Sequence, residues 1–190
     1  VELFGQNVAE LGPDGLREIK TRWGVLFQDG ALFSSLTVAQ NVQVPLREHT
    51  SLPADLIDQI TRIKVSMVGL PPDACTKFPS ELSGGMRKRA GLARALALDP
   101  EIIFLDEPTA GLDPIGAADF DSLIRNLQQS LGLTVVMVTH DLDSLYAVCD
   151  RIAVLVDNHV IVGTIDSLLE NPHPWIHDYF HGLRSRAAQG

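Results

Sequence analysis

The chain has 190 residues, of which 45% are hydrophobic and 21% charged, a size and composition that suit one globular domain with a substantial core. Its net charge of −9 argues against duplex nucleic acid as a main partner, because phosphate binding needs clustered Lys and Arg. The two cysteines, Cys75 and Cys149, lie far apart without C-x-x-C spacing, which argues against a disulfide framework or zinc knuckle and fits a reducing setting.

Four short apolar segments predict strands and alternate with longer helical patterns. The segments are 23–28 (WGVLFQ), 101–106 (EIIFLD), 134–139 (TVVMVT) and 151–156 (RIAVLV). They lack strict alternation of apolar and polar residues, which is typical of strands buried on both faces. The helical pattern at 116–132, between the second and third segments, indicates a β-α-β unit. We therefore predict an α/β fold with a mainly parallel sheet.

Two segments depart from this alternation. At about 37–82, five prolines separate short helical patterns such as 55–70, which predicts a helical subdomain inserted between two strands. After the fourth strand, the pair Asp157-Asn158 has the spacing of a tight turn before 159–164 (HVIVGT). We expect this hairpin to end the sheet.

The stretch 83–86 (SGGM) opens an amphipathic helix and has the features of an anion site. Ser83 is a typical N-cap residue, while Gly84 and Gly85 leave backbone N–H groups accessible at the positive end of the helix dipole. This arrangement suits a phosphate group. The alternative is an ordinary Ser-capped helix with solvated arginines, in which Met86 simply packs.

Polar side chains follow three of the predicted strands at their carboxyl ends, where open parallel sheets bind ligands. Asp106 and Glu107 suit two tasks: holding Mg²⁺ through water, and orienting or deprotonating an attacking water. We expect His140 to lie near Glu107 and contact a terminal phosphate, and the Gln28 amide to bind Mg²⁺ or a water. The alternatives are solvated acids at a strand end and a histidine in a turn.

Five motifs, in this order and spacing, resemble the nucleotide-binding domain of ATP-binding cassette (ABC) proteins: Gln28, 82–86 (LSGGM), 102–108 (IIFLDEP), 111–114 (GLDP) and 138–141 (VTHD). The likeness covers nearly the whole chain and implies a P-loop NTPase-like fold. It also implies these roles: Q-loop for Gln28, signature for Ser83, Gly84, Gly85 and Met86, Walker B aspartate for Asp106, catalytic glutamate for Glu107, D-loop aspartate for Asp113, and switch histidine for His140.

Longer stretches narrow the resemblance to the Mla-type, or Mce-associated, phospholipid transporter ATPases, once labelled toluene-tolerance ATPases. These are 25–42, 78–114 and 174–182, and Met86 stands where most ABC proteins have glutamine. The resemblance implies ATP and Mg²⁺ as cofactors and a homodimer with a second ATPase chain. It also implies an integral-membrane permease, a small regulatory subunit and a lipid-binding Mce-type protein, at the cytoplasmic face of the inner membrane. No nucleic acid partner is expected.

One departure from the family pattern is large. The sequence contains no G-x-x-x-x-G-K-[ST], and no glycine is followed directly by lysine, so the Walker A loop that cradles phosphate is absent. We expect the 190 residues to be a fragment of a longer ATPase, truncated at the N-terminus and inactive alone, with an exposed apolar sheet edge.

Two alternatives remain at this stage. The first is a natural, non-hydrolysing module that lends its signature to a partner's ATP; retention of Asp106, Glu107 and His140 favours the fragment instead. The second is a DNA-repair or chromosome-associated ATPase of the same fold. Such proteins carry coiled-coil or zinc modules, and neither heptads nor cysteine pairs occur here.

The C-terminal tail, at about 171–190, has two features of its own. Histidines recur every four residues, so one helix face could hold a metal: His173, His177 and His181. Apolar and aromatic residues between them predict docking on a protein surface: Trp175, Ile176, Tyr179 and Phe180. The family resemblance implies that such tails contact the other ATPase chain or a regulatory subunit.

Overall fold

The computed structural model describes the backbone of residues 1–187 and the side chains of residues 1–181. The chain divides into two compact units, the first spanning residues 1–139 and the second beginning at His140. The helices and strands are β1 (Glu2–Leu3), β2 (Gln6–Asn7), α1 (Pro13–Thr21), β3 (Trp23–Leu26), α2 (Val38–His49), α3 (Ala54–Met67), α4 (Gly84–Ala95), β4 (Ile102–Asp106), α5 (Pro114–Leu131), β5 (Thr134–Val138), α6 (Leu142–Val148), β6 (Ile152–Val156), β7 (His159–Gly163), α7 (Ile165–Leu169) and α8 (Pro174–Ala187).

The first unit is built on a three-stranded parallel sheet in the order β3-β4-β5. Trp23 pairs with Ile102 at one end, and Leu26 pairs with Leu105 near the other. On the far side of β4, the register ends with Asp106 opposite Val138. The parallel β-α-β arrangement is therefore confirmed, and all three strands end at one edge of the sheet.

Local sequence signals explain where the helices begin and end. Thr37 and Gln40 form a reciprocal capping box at the start of α2. The Asp113 carboxylate caps α5, Pro114 occupies its first turn, and Gly132 ends it in a left-handed conformation (φ +66°). Between β3 and β4 the chain forms α2, α3, α4 and two short 3₁₀ turns, at 72–76 and 79–81.

The prediction that every strand is buried on both faces is wrong for β5 and β6. In β5, Val136 and Val138 are 42% and 64% exposed, and in β6 Leu155 is 74% exposed. Helices α1 and α4 pack on β3, at the opposite edge of the sheet from β5. An apolar run in the sequence identifies a strand, but it does not reveal which of its faces a helix covers.

The second unit contains a hairpin, three helices and its own core. Strands β6 and β7 pair antiparallel, with Val156 opposite His159 across the predicted two-residue turn. Both turn residues, Asp157 and Asn158, have positive φ values of 49° and 60°, as a tight turn of this length requires. The core is formed by Leu142, Leu145, Ile152, Val154, Leu168, Ile176 and Phe180. That this hairpin ends the main sheet stays a prediction.

Candidate functional site

Gln28 and Asp106 lie at the carboxyl edge of the three-stranded sheet. Asp106 is the last residue of β4 and its side chain is exposed. Because Leu26 pairs with Leu105, the chain leaving β3 passes this same edge and carries Gln28 two residues later, also exposed. The edge therefore presents an amide oxygen and a carboxylate, which are oxygen ligands of the kind that Mg²⁺ prefers.

Glu107 adopts a strained backbone conformation immediately after β4. Its φ is +45°, a region that residues with a side chain rarely occupy. Two backbone hydrogen bonds hold it: its N–H donates to Val138 O at 2.8 Å, and its carbonyl accepts from Ala110 N at 3.2 Å. The Thr139 hydroxyl donates to Glu107 Oε2 at 3.2 Å. The carboxyl group is thus fixed by β4 and the end of β5 together.

The predicted anion site lies at the N-terminus of α4. Ser83 is the N-cap, and its Oγ accepts from Met86 N at 3.2 Å. A Cβ added at Gly84 would meet nothing within 4 Å, and one added at Gly85 would meet only Leu112 Cδ2 at 3.8 Å. Open space beside these two backbone groups fits the close approach of a phosphate, because only Leu112 Cδ2, among the side chains that the structure describes, comes within 4 Å of either Cβ position.

Three basic residues of α4 donate to backbone carbonyls, so the alternative of solvated arginines does not hold for them. Lys88 Nζ donates to the carbonyl oxygens of Gln28 and Glu107, at 3.2 Å in the second case. Arg89 Nη1 donates to Val68 O at 2.8 Å. Arg94 donates to Gly30 O at 2.9 Å and to Ala31 O at 2.8 Å.

Lys88 is a site residue that the sequence motifs missed. Its side chain is almost wholly buried, at 4% exposure. Burial lowers the pKa of Lys88, and the neighbouring charges of Asp29 and Glu107 oppose that change by favouring the ammonium form. The signal in the sequence was its position four residues before Leu92, which places a lysine within the buried stripe of α4.

The segment between Gln28 and α2 is held from both sides. On the α4 side, a Cβ added at Gly91 would lie 2.8 Å from the Cα of Gly30, so the two backbones touch. On the α2 side, the fully buried Asn41 accepts from Phe33 N at 2.8 Å through Oδ1. Its Nδ2 lies within 3.0–3.1 Å of three carbonyl oxygens, those of Phe33, Leu36 and Thr37. The segment after Gln28 is therefore closely braced.

Asp113 and His140 occupy element boundaries. Asp113 Oδ1 accepts from Ile115 N at 3.1 Å and Gly116 N at 3.0 Å, and so caps α5. His140 opens the second unit, where its carbonyl oxygen accepts from Tyr179 Oη of α8 at 2.8 Å. The nearness of His140 to Glu107 stays a prediction.

The tail does not form the metal site that its histidine spacing allowed. Across the part of the chain that the structure describes, no three His, Cys, Asp or Glu residues are grouped to hold a metal ion. His173 Nε2 lies 3.1 Å from Asp157 Oδ2, while the rings of His177 and His181 contact each other with centroids 4.3 Å apart and an interplanar angle of 31°. His173 also precedes α8, so the three residues do not share one helix face.

Docking of the whole tail on another protein needs a similar correction. Ile176 and Phe180 are fully buried in the core of the second unit. Trp175 is 50% exposed and stacks on Tyr179, with ring centroids 5.0 Å apart. The apolar residues that predicted a docking surface therefore include a face of α8 that packs on the core of its own unit. Of the four predicted docking residues, Ile176 and Phe180 are not available to a partner protein. The last three residues, 188–190, lie outside the described part of the chain.

Searching the described residues for a membrane-spanning helix finds none with sufficient length and apolar character.

Comparisons with known proteins agree on one family. Residues 1–110 match the family described as ABC transporter. The chain is 45% identical over 168 residues to the intermembrane phospholipid transport system ATP-binding protein MlaF of Haemophilus influenzae, covering 88% of this chain and 63% of MlaF. It is 43% identical over 181 residues to the probable ribonucleotide transport ATP-binding protein mkl of Mycobacterium bovis, covering 95% of this chain and 50% of mkl.

A solved structure shares the fold. It is the dimer of the ATP-binding cassette MJ0796 in a post-hydrolysis state bound to ADP and Pi, with a TM-score of 0.75 and 30% sequence identity. The match covers 85% of this chain and 71% of that one. Relative to the two curated proteins above, the chain spans between 50% and 63% of their length.

Proposed function

The chain belongs to the ABC transporter family, and from that premise we propose that it serves as the ATP-hydrolysing subunit of a transporter that moves phospholipids. The observation that carries the proposal is the meeting of Asp106, Glu107 and Thr139 at one sheet edge, with the end of β3 delivering Gln28 to the same edge. The identity of 45% to MlaF, whose name specifies phospholipid transport, supports the substrate class.

Glu107 is the proposed general base. Its carboxyl group, oriented by Thr139, accepts a hydrogen bond from the attacking water and takes its proton as the water adds to the terminal phosphorus, while the bond from that phosphorus to the oxygen of the β-phosphate breaks and ADP leaves. Asp106 and Gln28 would hold Mg²⁺, which would neutralise charge on the phosphate oxygens. His140 donates a hydrogen bond to the terminal phosphate and so senses its presence.

The signature acts on a neighbouring chain. We propose that two chains pair as a homodimer, in which Ser83, Gly84, Gly85 and Met86 of one chain face the ATP bound by the other. Open space at Gly84 and Gly85 lets backbone N–H groups reach the phosphate, and the dipole of α4 favours its negative charge. Asp113, at the start of α5, would lie beside the same junction.

Further partners follow from the family. Segment 37–82 would act as a helical subdomain that transmits closure of the dimer to an integral-membrane permease, through the loop after Gln28. A small regulatory subunit would bind the tail at about 171–190, and a Mce-type protein would carry the lipid. The complex would lie at the cytoplasmic face of the inner membrane.

Hydrolysis needs a phosphate-binding loop that these residues do not contain. We expect the 190-residue polypeptide alone to show no ATP turnover, and turnover to require the native protein with a G-x-x-x-x-G-K-[ST] loop. Steady phosphate release by the isolated 190-residue chain would contradict the expectation that hydrolysis requires this loop.

The test uses the native complex in vesicles that contain a labelled phospholipid. Glu107→Gln should slow ATP hydrolysis by about 10²–10⁴ and stop lipid movement, while ATP binding stays intact, because a neutral amide cannot take the proton. Glu101→Gln, at the opposite end of β4, is the matched control and should retain activity. Normal turnover in Glu107→Gln would overturn the ATPase assignment, and turnover stimulated only by a ribonucleotide cargo would overturn the lipid assignment.

A further inference from the structure

A single buried side chain joins both residues that flank the proposed reaction. Lys88 Nζ, on α4, donates to the backbone carbonyls of Gln28 and Glu107. Gln28 follows β3 and Glu107 follows β4, so these carbonyls come from different strands. With 4% exposure, Lys88 has little water to replace these acceptors. The ammonium group therefore helps to hold both carbonyls, that of Glu107 together with the N–H of Ala110.

The contact to Gln28 is part of a wider attachment between α4 and the loop that follows β3. One turn and a half further along α4, Arg94 donates to the carbonyls of Gly30 and Ala31. Gly91, between the two basic residues, touches Gly30 with no side chain between the backbones. A shift of α4 must therefore displace this loop or break several charge-assisted hydrogen bonds.

The opposite end of the same helix carries the signature. Ser83 caps α4, and the glycines that face open space form its first turn. Lys88 lies five residues after Ser83, within the same rigid helix. A group that docks at the N-terminus of α4 thus acts on a helix that is fastened directly to Gln28 and Glu107.

We propose that Lys88 is a positioning residue that couples the signature helix of one chain to the Mg²⁺-binding and water-activating residues of that same chain. The inference rests on the proposed function for the roles of Gln28 and Glu107. Its consequence is that occupation of the neighbouring chain's site, sensed at Ser83, adjusts the geometry of this chain's own carboxylate. Lys88 touches no reacting atom and acts only through the two backbones.

The test combines kinetics with backbone exchange in the native complex. Lys88→Met keeps an unbranched side chain that is one heavy atom shorter and removes the N–H donors. We expect kcat for ATP to fall roughly ten- to hundredfold with KM for ATP little changed, because small displacements of reacting groups cost that much. Lys88→Arg, which keeps donors and charge, should recover most of the rate.

The second measurement does not depend on ATP. Amide hydrogen exchange of the nucleotide-free protein should rise in segments 27–33 and 104–110 of Lys88→Met, and stay unchanged in Lys88→Arg. The matched control is Lys64→Met, which removes an equally buried lysine that pairs with Asp99 at 2.5 Å. This control should leave exchange in both segments and the rate unchanged.

The outcomes separate the possible failures. Unchanged exchange in Lys88→Met would overturn the attachment, and raised exchange with a normal kcat would overturn the positioning role. Equal losses in Lys64→Met would show a general loss of stability and also overturn it. If Lys88→Met does not fold, Lys88→Gln carries the same two measurements. A wild-type complex without ATP turnover would contradict the proposed function, and exchange would then decide the attachment alone.

Discussion

The Thr139 hydroxyl shows how one polar group can set the direction of the carboxylate that we propose as the general base. It donates to Glu107 Oε2 at 3.2 Å, while the backbone of Glu107 is held at φ +45° by its own hydrogen bonds. An oxygen that accepts this bond keeps one edge of the carboxylate turned toward Thr139. The other oxygen is then directed to a fixed position, as a general base requires.

Removing that hydroxyl should therefore lower kcat for ATP hydrolysis and leave the melting temperature of the protein nearly unchanged. Thr139→Val keeps the shape of the side chain and should lower kcat of the native complex by about tenfold, the value of one hydrogen bond to a charged group. Thr134→Val, at the exposed start of the same strand, is the matched control. Steady-state ATP hydrolysis and a thermal melt measure the two effects. An unchanged kcat would show that Glu107 does not need Thr139 for its orientation.

At the scale of elements, the loop after β3 is the most heavily supported segment near the site. Helix α4 holds it through Lys88 and Arg94, and helix α2 holds it through Asn41. Asn41 is fully buried, and its carboxamide accepts from the Phe33 N–H and lies within hydrogen-bond distance of the Phe33, Leu36 and Thr37 carbonyls, in a segment outside the regular helices and strands. One side chain here supplies hydrogen bonds to the backbone of an irregular segment, as neighbouring backbone groups do in a helix or strand.

This support predicts a large cost for a small truncation. Asn41→Ala should lower the free energy of unfolding by about 2–3 kcal/mol, because the Phe33 N–H and the Leu36 carbonyl lose the carboxamide together. Asn126→Ala, on the exposed side of α5, should change it by less than about 0.5 kcal/mol. Urea unfolding of the two variants measures the difference. Similar midpoints for both would mean that water replaces the Asn41 carboxamide without penalty.

Sequence patterns predicted the elements better than the contacts between them. The strand at 134–139 was identified because its residues are apolar, yet those residues say nothing about the exposed face formed by Val136 and Val138. The motif residues of the site follow local signals, such as a carboxylate at a strand end. Lys88 does not, because its partners are the backbone carbonyls of Gln28 and Glu107, which are distant in the sequence. Asn41 does not either, because its partners belong to an irregular segment that no local pattern describes.

At the scale of the whole molecule, charge decides which macromolecules the protein attracts. The net charge is −9, with 24 acidic against 15 basic residues. Three of those basic side chains, Lys88, Arg89 and Arg94, are committed to backbone carbonyls within the first unit. A polyanion approaching the protein therefore meets net repulsion.

We accordingly expect no binding of duplex DNA. The dissociation constant at physiological salt should be larger than the roughly 10⁻⁴–10⁻⁶ M of nonspecific DNA-binding proteins. Fluorescence anisotropy of a labelled duplex, titrated at low and at physiological salt, makes the measurement. Affinity that falls linearly with the logarithm of salt concentration would reveal a basic surface patch and would revive a DNA-associated role.

At the contact between Gly30 and Gly91, the distance between α4 and the loop after β3 is set by backbone atoms alone. Since a Cβ at Gly91 would lie 2.8 Å from Gly30 Cα, a single added methyl group acts as a wedge between α4 and the loop. Alanine fits at neither position without moving the helix, because a Cβ at Gly30, where φ is +79°, would lie 2.8 Å from the Arg87 carbonyl oxygen of α4. For the same reason, Gly91→Ala would be a designed way to separate α4 from the loop after β3 by the width of one methyl group.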